Sequence, residues 1–87
     1  MIIWNEDKNT WLKLERNISF EQIAQKILDD DFIDILEHPK RGDQKIFVLE
    51  MNDYIYAVPF VIDENEKIVL KTAFPSRKLN KKYRGKK

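Results

Sequence analysis

The stretch Gln44-Lys45-Ile46-Phe47-Val48-Leu49-Glu50-Met51-Asn52-Asp53-Tyr54-Ile55-Tyr56-Ala57-Val58-Pro59-Phe60-Val61-Ile62 decides the fold. Gln44 to Met51 is rich in β-favouring side chains, and Asn52-Asp53 is a tight hairpin signal. Tyr54 to Ile62 is apolar on both alternating sets of positions. That pattern predicts a central strand covered on both faces. Pro59 conflicts with an uninterrupted ladder because it has no N–H to donate. A bulge or a locally unpaired site is therefore expected there.

Downstream, Asp63-Glu64-Asn65-Glu66 reads as another hairpin turn. Lys67 to Phe74 then reads as a strand ended by Pro75, with Ile68, Leu70, Thr72 and Phe74 on one face. Upstream, Phe32 to Glu37 is a strand candidate and His38 to Asp43 a loop. Before these the period is helical. Glu6 to Arg16 predicts a helix with Trp4, Trp11, Leu14 and Ile18 near one stripe, closed by Asn17. Ser19, with Gln22 three residues on, opens a second helix. Phe20, Ile23, Ala24, Ile27 and Leu28 form its apolar face, and Asp29-Asp30-Asp31 ends it, because acids oppose the macrodipole at a C-terminus. Met1 to Trp4 is a short strand candidate. The sum is an α+β fold: two N-terminal helices packed on one face of a four-stranded, mainly antiparallel sheet. The expected organisation is a single domain over residues 1–76 and a basic C-terminal tail over 77–87. The other sheet face, carrying Lys45 or its neighbours, Lys71 and several aromatics, is expected to be open.

The chain has 87 residues, enough for one thin core. It contains no cysteine, which excludes a disulfide scaffold, thiolate metal sites and a cysteine nucleophile. His38 is its single histidine, which excludes a multi-histidine metal site. Its two glycines cannot build a glycine-rich phosphate loop. The opening residues lack a basic and apolar leader, and the apolar run Tyr54 to Ile62 is too short to span a bilayer. A cytoplasmic location is expected.

Sixteen basic and fifteen acidic residues give a net charge of +1. That average hides a segregation. Arg77-Lys78-Leu79-Asn80-Lys81-Lys82-Tyr83-Arg84-Gly85-Lys86-Lys87 holds seven basic residues and no acid, while residues 1–76 carry a net −6. Such a run is the footprint of a polyanion site, and Tyr83 within it can stack on a base. The plainer readings are a solvated terminus, or a tail docked on Asp29-Asp30-Asp31.

Four segments, in order, resemble the BrnT family of bacterial toxins: Trp4-Asn5-Glu6-Asp7-Lys8, Ile18-Ser19-Phe20-Glu21, Gly42-Asp43-Gln44-Lys45, and Ser76-Arg77-Lys78 followed by Tyr83. The resemblance departs where the family has Lys-His-Gly, here Glu15-Arg16-Asn17, and where Asp43 and Lys45 replace Glu and Arg. It implies a RelE-like ribonuclease fold. It also implies a type II toxin that cuts RNA without a metal or other cofactor. The implied partner is a cognate antitoxin, a small DNA-binding protein of ribbon–helix–helix type.

A metal-free ribonuclease needs a base for the 2′-hydroxyl, cations on the pentacoordinate phosphate and an acid for the leaving 5′-oxygen. Arg77 is the first choice for the phosphate clamp, because guanidinium meets phosphate oxygens two at a time. Lys45 is a weaker clamp than the arginine it replaces. Lys71 adds positive potential. Histidine titrates near neutrality unaided, so His38 is a candidate base or acid. Asp43 and Tyr83 are alternatives that need help from their surroundings. Lys78, Lys81, Lys82 and Arg84 are candidate RNA contacts. Against each stands a plainer role: His38 and Asp43 as turn residues, Lys45 and Lys71 as solvating charges. The rival functions are a non-catalytic RNA-binding module and a protein-interaction module.

Overall fold

In the computed structural model, which describes residues 1–84, the chain runs β1 (Ile2–Ile3), α1 (Glu6–Arg16), α2 (Phe20–Leu28), β2 (Asp34–Glu37), β3 (Lys45–Met51), β4 (Tyr54–Ile62), β5 (Ile68–Leu70), β6 (Phe74–Pro75) and α3 (Arg77–Arg84). The strands form one sheet in the order β1-β5-β4-β3-β2, with β6 also paired to β4. All pairings are antiparallel except β1 with β5. The α+β class is as expected. The sheet has six strands rather than four, because Ile2–Ile3 adds an edge and the last expected strand is split in two. Among the described residues no helix is long and apolar enough to cross a membrane.

Asn52 and Asp53 join β3 to β4 with φ of 52° and 63°. Left-handed backbone at both central residues is what the tight hairpin requires. Asn17 closes α1 in the same conformation, φ 56°. The side chains of Asn5 and Ser19 cap α1 and α2 by accepting the N–H groups of Lys8 and Gln22.

Pairing sets the faces. Phe47 lies opposite Val58 and Leu49 opposite Tyr56, and these four join Leu12, Phe20, Ile23 and Ile27 in the core under α1 and α2. Phe47 stacks on Phe60 with ring centroids 4.2 Å apart. The apolar face expected for α2 holds at Phe20, Ile23 and Ile27, but Leu28 is 70% exposed. The stripe expected for α1 is rotated. Leu12 and Asn9 are fully buried, whereas Leu14 is 79% exposed and Trp11 lies on the surface between the cations of Lys8 and Arg16. Asn9 explains the rotation. Its Oδ1 accepts the Phe20 N–H at 2.8 Å and its Nδ2 donates to Glu21 at 2.8 Å, so it ties α1 to the start of α2.

Pro59 has the expected effect. Leu70 pairs with Phe60, and Lys71 N–H still donates to the Pro59 carbonyl at 2.9 Å. Pro59 returns no N–H, so the chain leaves the ladder. Pairing resumes with Phe74 opposite Ala57, a register one residue out of step. This bulge overturns one expectation. Leu70 and Phe74 do not share a face: Leu70 points with Phe60 into the core, and Phe74 shares the opposite face with Ala57. Register corrects Lys45 in the same way. It lies opposite Phe60, on the α1–α2 side, and so do the expected far-face aromatics: Phe47, Tyr54, Tyr56 and Phe60 all face the core, and of the strand aromatics Phe74 alone is on the far face.

Candidate nucleic-acid interface

The far face of the sheet carries Asp34, Leu36, Ile46, Val48, Ile55 and Ala57 by alternation from the pairings above. It is not open. The basic segment expected as a tail folds into α3 and packs on β4 there. Ser76 anchors its start. The Ser76 N–H donates to the Ile55 carbonyl at 3.0 Å, and its Oγ accepts the Leu79 N–H at 3.1 Å. One turn on, Asn80 Oδ1 accepts the Ile55 N–H at 3.1 Å. The Ser76 N–H, in the link between β6 and α3, and the Asn80 side chain of α3 thus take the place of a paired strand at Ile55.

The far end of α3 is fixed by charge. The Arg84 guanidinium lies 3.0 Å from Asp53 and 3.4 Å from Glu50, and it also donates to the Asp53 carbonyl. The Tyr83 hydroxyl donates to Asp34 Oδ2 at 2.9 Å. That bond is the main reason the Asp34 carboxyl lies below its usual range; the Ile35 N–H and the nearby Lys82 charge help. The same bond, with burial and the Asp34 charge, holds the Tyr83 phenol above its usual range. The acids that receive α3 are Asp34, Glu50 and Asp53, not Asp29-Asp30-Asp31.

What remains free is the rest of the basic run. Arg77, Lys78, Lys81 and Lys82 are exposed, and among the described residues none is ion-paired. They flank α3 on two sides. Arg77, Asn80, Lys81 and Arg84, three or four residues apart, line a hollow of about 500 Å³ with Asp53. Lys78 and Lys82, one turn apart, border a more apolar groove beside β2 and β3. Arg77 and Lys78 sit at the helix start, where cations oppose the macrodipole. A bound anion relieves that repulsion.

The other sequence candidates lie elsewhere. His38 is half-buried after β2, and its Nδ1 accepts the N–H groups of Lys40 and Arg41 at 3.1 and 3.2 Å. In this tautomer the proton sits on Nε2, so the ring offers a donor rather than a free base. Asp43 is exposed in the following turn. Lys45 is exposed 3.9 Å from Glu37. Lys71 is exposed in the bulged segment. The structure gathers Arg77, Lys78, Lys81, Lys82, Tyr83 and Arg84 on one helix and does not bring Lys45 to it. Glu37 and Pro39, on either side of His38, do reach the groove that Lys78 borders. Gly85, Lys86 and Lys87 lie outside the described residues.

Sequence reasoning missed Asp34, Glu50, Asp53 and Asn80. Asn80 carried a signal: it is the one uncharged polar residue between Arg77 and Lys82, three positions from Arg77. The three acids carried none, because each lies far along the chain from its partner.

No family model and no curated protein matches the chain. Among solved structures it is similar to the ribonuclease toxin BrnT of Brucella abortus, at 21% sequence identity and a TM-score of 0.61, over 86% of this chain and 94% of that one. The fold of the chain is thus BrnT-like.

Proposed function

We propose that the chain is the toxin of a type II toxin–antitoxin pair, an endoribonuclease that engages RNA through α3. The observation that supports the reading is the division of labour on that helix. Asn80, Tyr83 and Arg84 hold it to the sheet, while Arg77, Lys78, Lys81 and Lys82 are left to solvent. Cations that are positioned yet unpaired meet a polyanion at little cost in reorganisation. The fold shared with a ribonuclease toxin supports the same reading.

In this reading Arg77 clamps the scissile phosphate with a bidentate guanidinium. Lys78, Lys81 and Lys82 track the backbone, Arg84 fixes the helix that presents them, and Lys71 adds positive potential. His38, with Nδ1 held by the Lys40 and Arg41 N–H groups, donates a hydrogen bond from Nε2 to the leaving oxygen; to act as the acid it must first give up those bonds and take a second proton at Nδ1. Asp43 is the candidate base, and Lys45 stands beside that turn. Tyr83, with its proton held on Asp34, serves as an anchor rather than a base. No metal or other cofactor enters the scheme. A cognate antitoxin, a small ribbon–helix–helix protein, covers the basic helix by charge complementarity. The pair works in the cytoplasm.

The test is induction in a bacterial host. The wild-type chain arrests growth with loss of RNA, and Arg77→Ala does not. A harmless wild type that leaves RNA intact defeats the ribonuclease reading. The product of the neighbouring reading frame is expected to co-purify with the chain. One observation favours a second reading, an RNA-binding module that does not cut: His38 Nδ1 and the Tyr83 hydroxyl are both committed to structural hydrogen bonds. Salt-dependent RNA binding with no cleavage products identifies that case.

A further inference from the structure

The groove on the second flank of α3 differs in kind from the hollow on the first. Its floor is Leu36, Ile46 and Ala57, and its walls include Pro39, Phe74 and Leu79. Its volume is about 380 Å³, within the roughly 300–1,000 Å³ of small-molecule sites. Phe74 is there because of Pro59. Without the bulge, Phe74 would follow Leu70 toward the core; with it, the ring stands on the far face, 36% exposed. The Lys78 and Lys82 side chains border the groove from α3. Glu37 is the sole carboxylate among its lining residues, and the Lys45 ammonium lies 3.9 Å from it.

An apolar slot with an accessible aromatic ring and a cationic rim fits a ligand that is flat, apolar and anionic along one edge. A nucleotide within a single strand has that chemistry. Every base presents a π-face to an aromatic ring, and its phosphates lie where lysines can meet them. The cations on the opposite flank of α3, Arg77 and Lys81, continue the positive surface across the helix. Such continuity matches a polyanion better than an isolated acidic side chain.

We propose that the groove between α3 and the β2–β3 end of the sheet seats one unpaired RNA base against Phe74, with Lys78 and Lys82 on the adjoining phosphates. The assignment rests on the reading of α3 as an RNA-binding element and adds to it a base subsite. The slot has no built pattern of donors and acceptors, so it takes bases by stacking and shape. RNA held in a duplex, with its bases turned inward, is excluded.

The experiment measures equilibrium binding of short single-stranded oligonucleotides to the full chain. The riboses are 2′-O-methylated so that cleavage does not intervene. Each oligonucleotide is compared with an abasic counterpart of equal length and charge. The intact strand is expected to bind roughly 5- to 100-fold tighter, the worth of one stacked base. Phe74→Ala abolishes that difference and Phe74→Trp keeps it, so a folded aromatic variant tests the idea even if the alanine variant is unstable. Arg77→Ala weakens intact and abasic strands alike. If the wild type binds both strands equally, the base subsite is wrong while the reading of α3 stands. If it binds neither, both fall. If Phe74→Ala leaves RNA binding unchanged but loses a synthetic Asp/Leu-rich peptide, the groove is a protein site and the proposal is overturned.

Discussion

Phe20 on α2 and Leu79 on α3 lie over opposite faces of one sheet, and their surroundings differ in kind. Phe20 is wholly buried, packed with Trp4, Ile23 and Leu49 in a core whose buried polar side chain, Asn9, is fully satisfied. No residue of α3 is buried. That helix is held by Ser76, Asn80, Tyr83 and Arg84, through hydrogen bonds and ion pairs at the rim. Apolar burial on the first face is non-directional and is not screened by salt. Polar attachment on the second is directional, and its ion pairs are screened by salt. A protein that must carry unpaired cations cannot bury them, so the element bearing them is fastened by its other residues.

The comparison breaks most sharply at Phe20. Phe20→Ala opens a cavity beneath both N-terminal helices and is expected to cost about 3–5 kcal/mol. Urea denaturation measures it, and the loss is a large share of the total stability of a domain this small. A loss below about 1 kcal/mol would mean that the α1–α2 face is not the main source of stability.

Asn80→Ala probes the other face. It leaves the Ile55 N–H, on a fully buried residue, without its acceptor. The expected loss is about 1–3 kcal/mol. Asn80→Asp, which keeps the acceptor oxygen, recovers much of it. Amide exchange separates this outcome from global unfolding. Ile55 exchanges faster in Asn80→Ala while the amides of Leu49 and Val58 stay protected. If all three accelerate together, α3 is as much a part of the core as α2.

The two faces were also unequally legible. The α1–α2 face follows from local pattern. Ser19 with Gln22 capped α2, and the spacing of Phe20, Ile23 and Ile27 named its buried side. The Asn52-Asp53 turn gave the hairpin, and hence which residues of β3 and β4 share a face. The error at Leu14 and Trp11 came from counting apolar residues on α1, whereas a buried asparagine set its rotation. The far face depends on long-range events. Pro59 signalled a bulge, but not that the bulge would carry Phe74 to the other side. The run from Arg77 to Arg84 reads as charge, and the helix it forms depends on Ile55, Asp53 and Asp34, which no spacing rule connects to it. Of the candidate site, the basic segment was legible and its anchors were not.

The smallest expected effect concerns the Tyr83–Asp34 tie, and it tests how far the attachment of α3 is electrostatic. Both groups are close to solvent, so the effect is read from titration. The bond holds the Asp34 carboxyl below its usual 3.8 and the Tyr83 phenol above its usual 10.0. The depressed acid favours the folded helix at pH above about 3.8, and that contribution fades as pH falls through the lowered value. The raised phenol contributes below about 10, and that contribution is lost as pH rises through the raised value. Between these limits the tie is intact. Tyr83→Phe is expected to remove the alkaline limb and weaken the acid limb of the amide protection of α3, with a small loss of protection on the plateau between them and no difference from the wild type at the extremes. In Asp34→Asn, which loses the charge and the strongest acceptor, the Tyr83 phenolate is expected to appear at lower pH, nearer 10, by ultraviolet absorbance. An unchanged phenolate transition in Asp34→Asn would mean that burial rather than the carboxylate restrains Tyr83, and that the second face is held less by charge than the geometry implies.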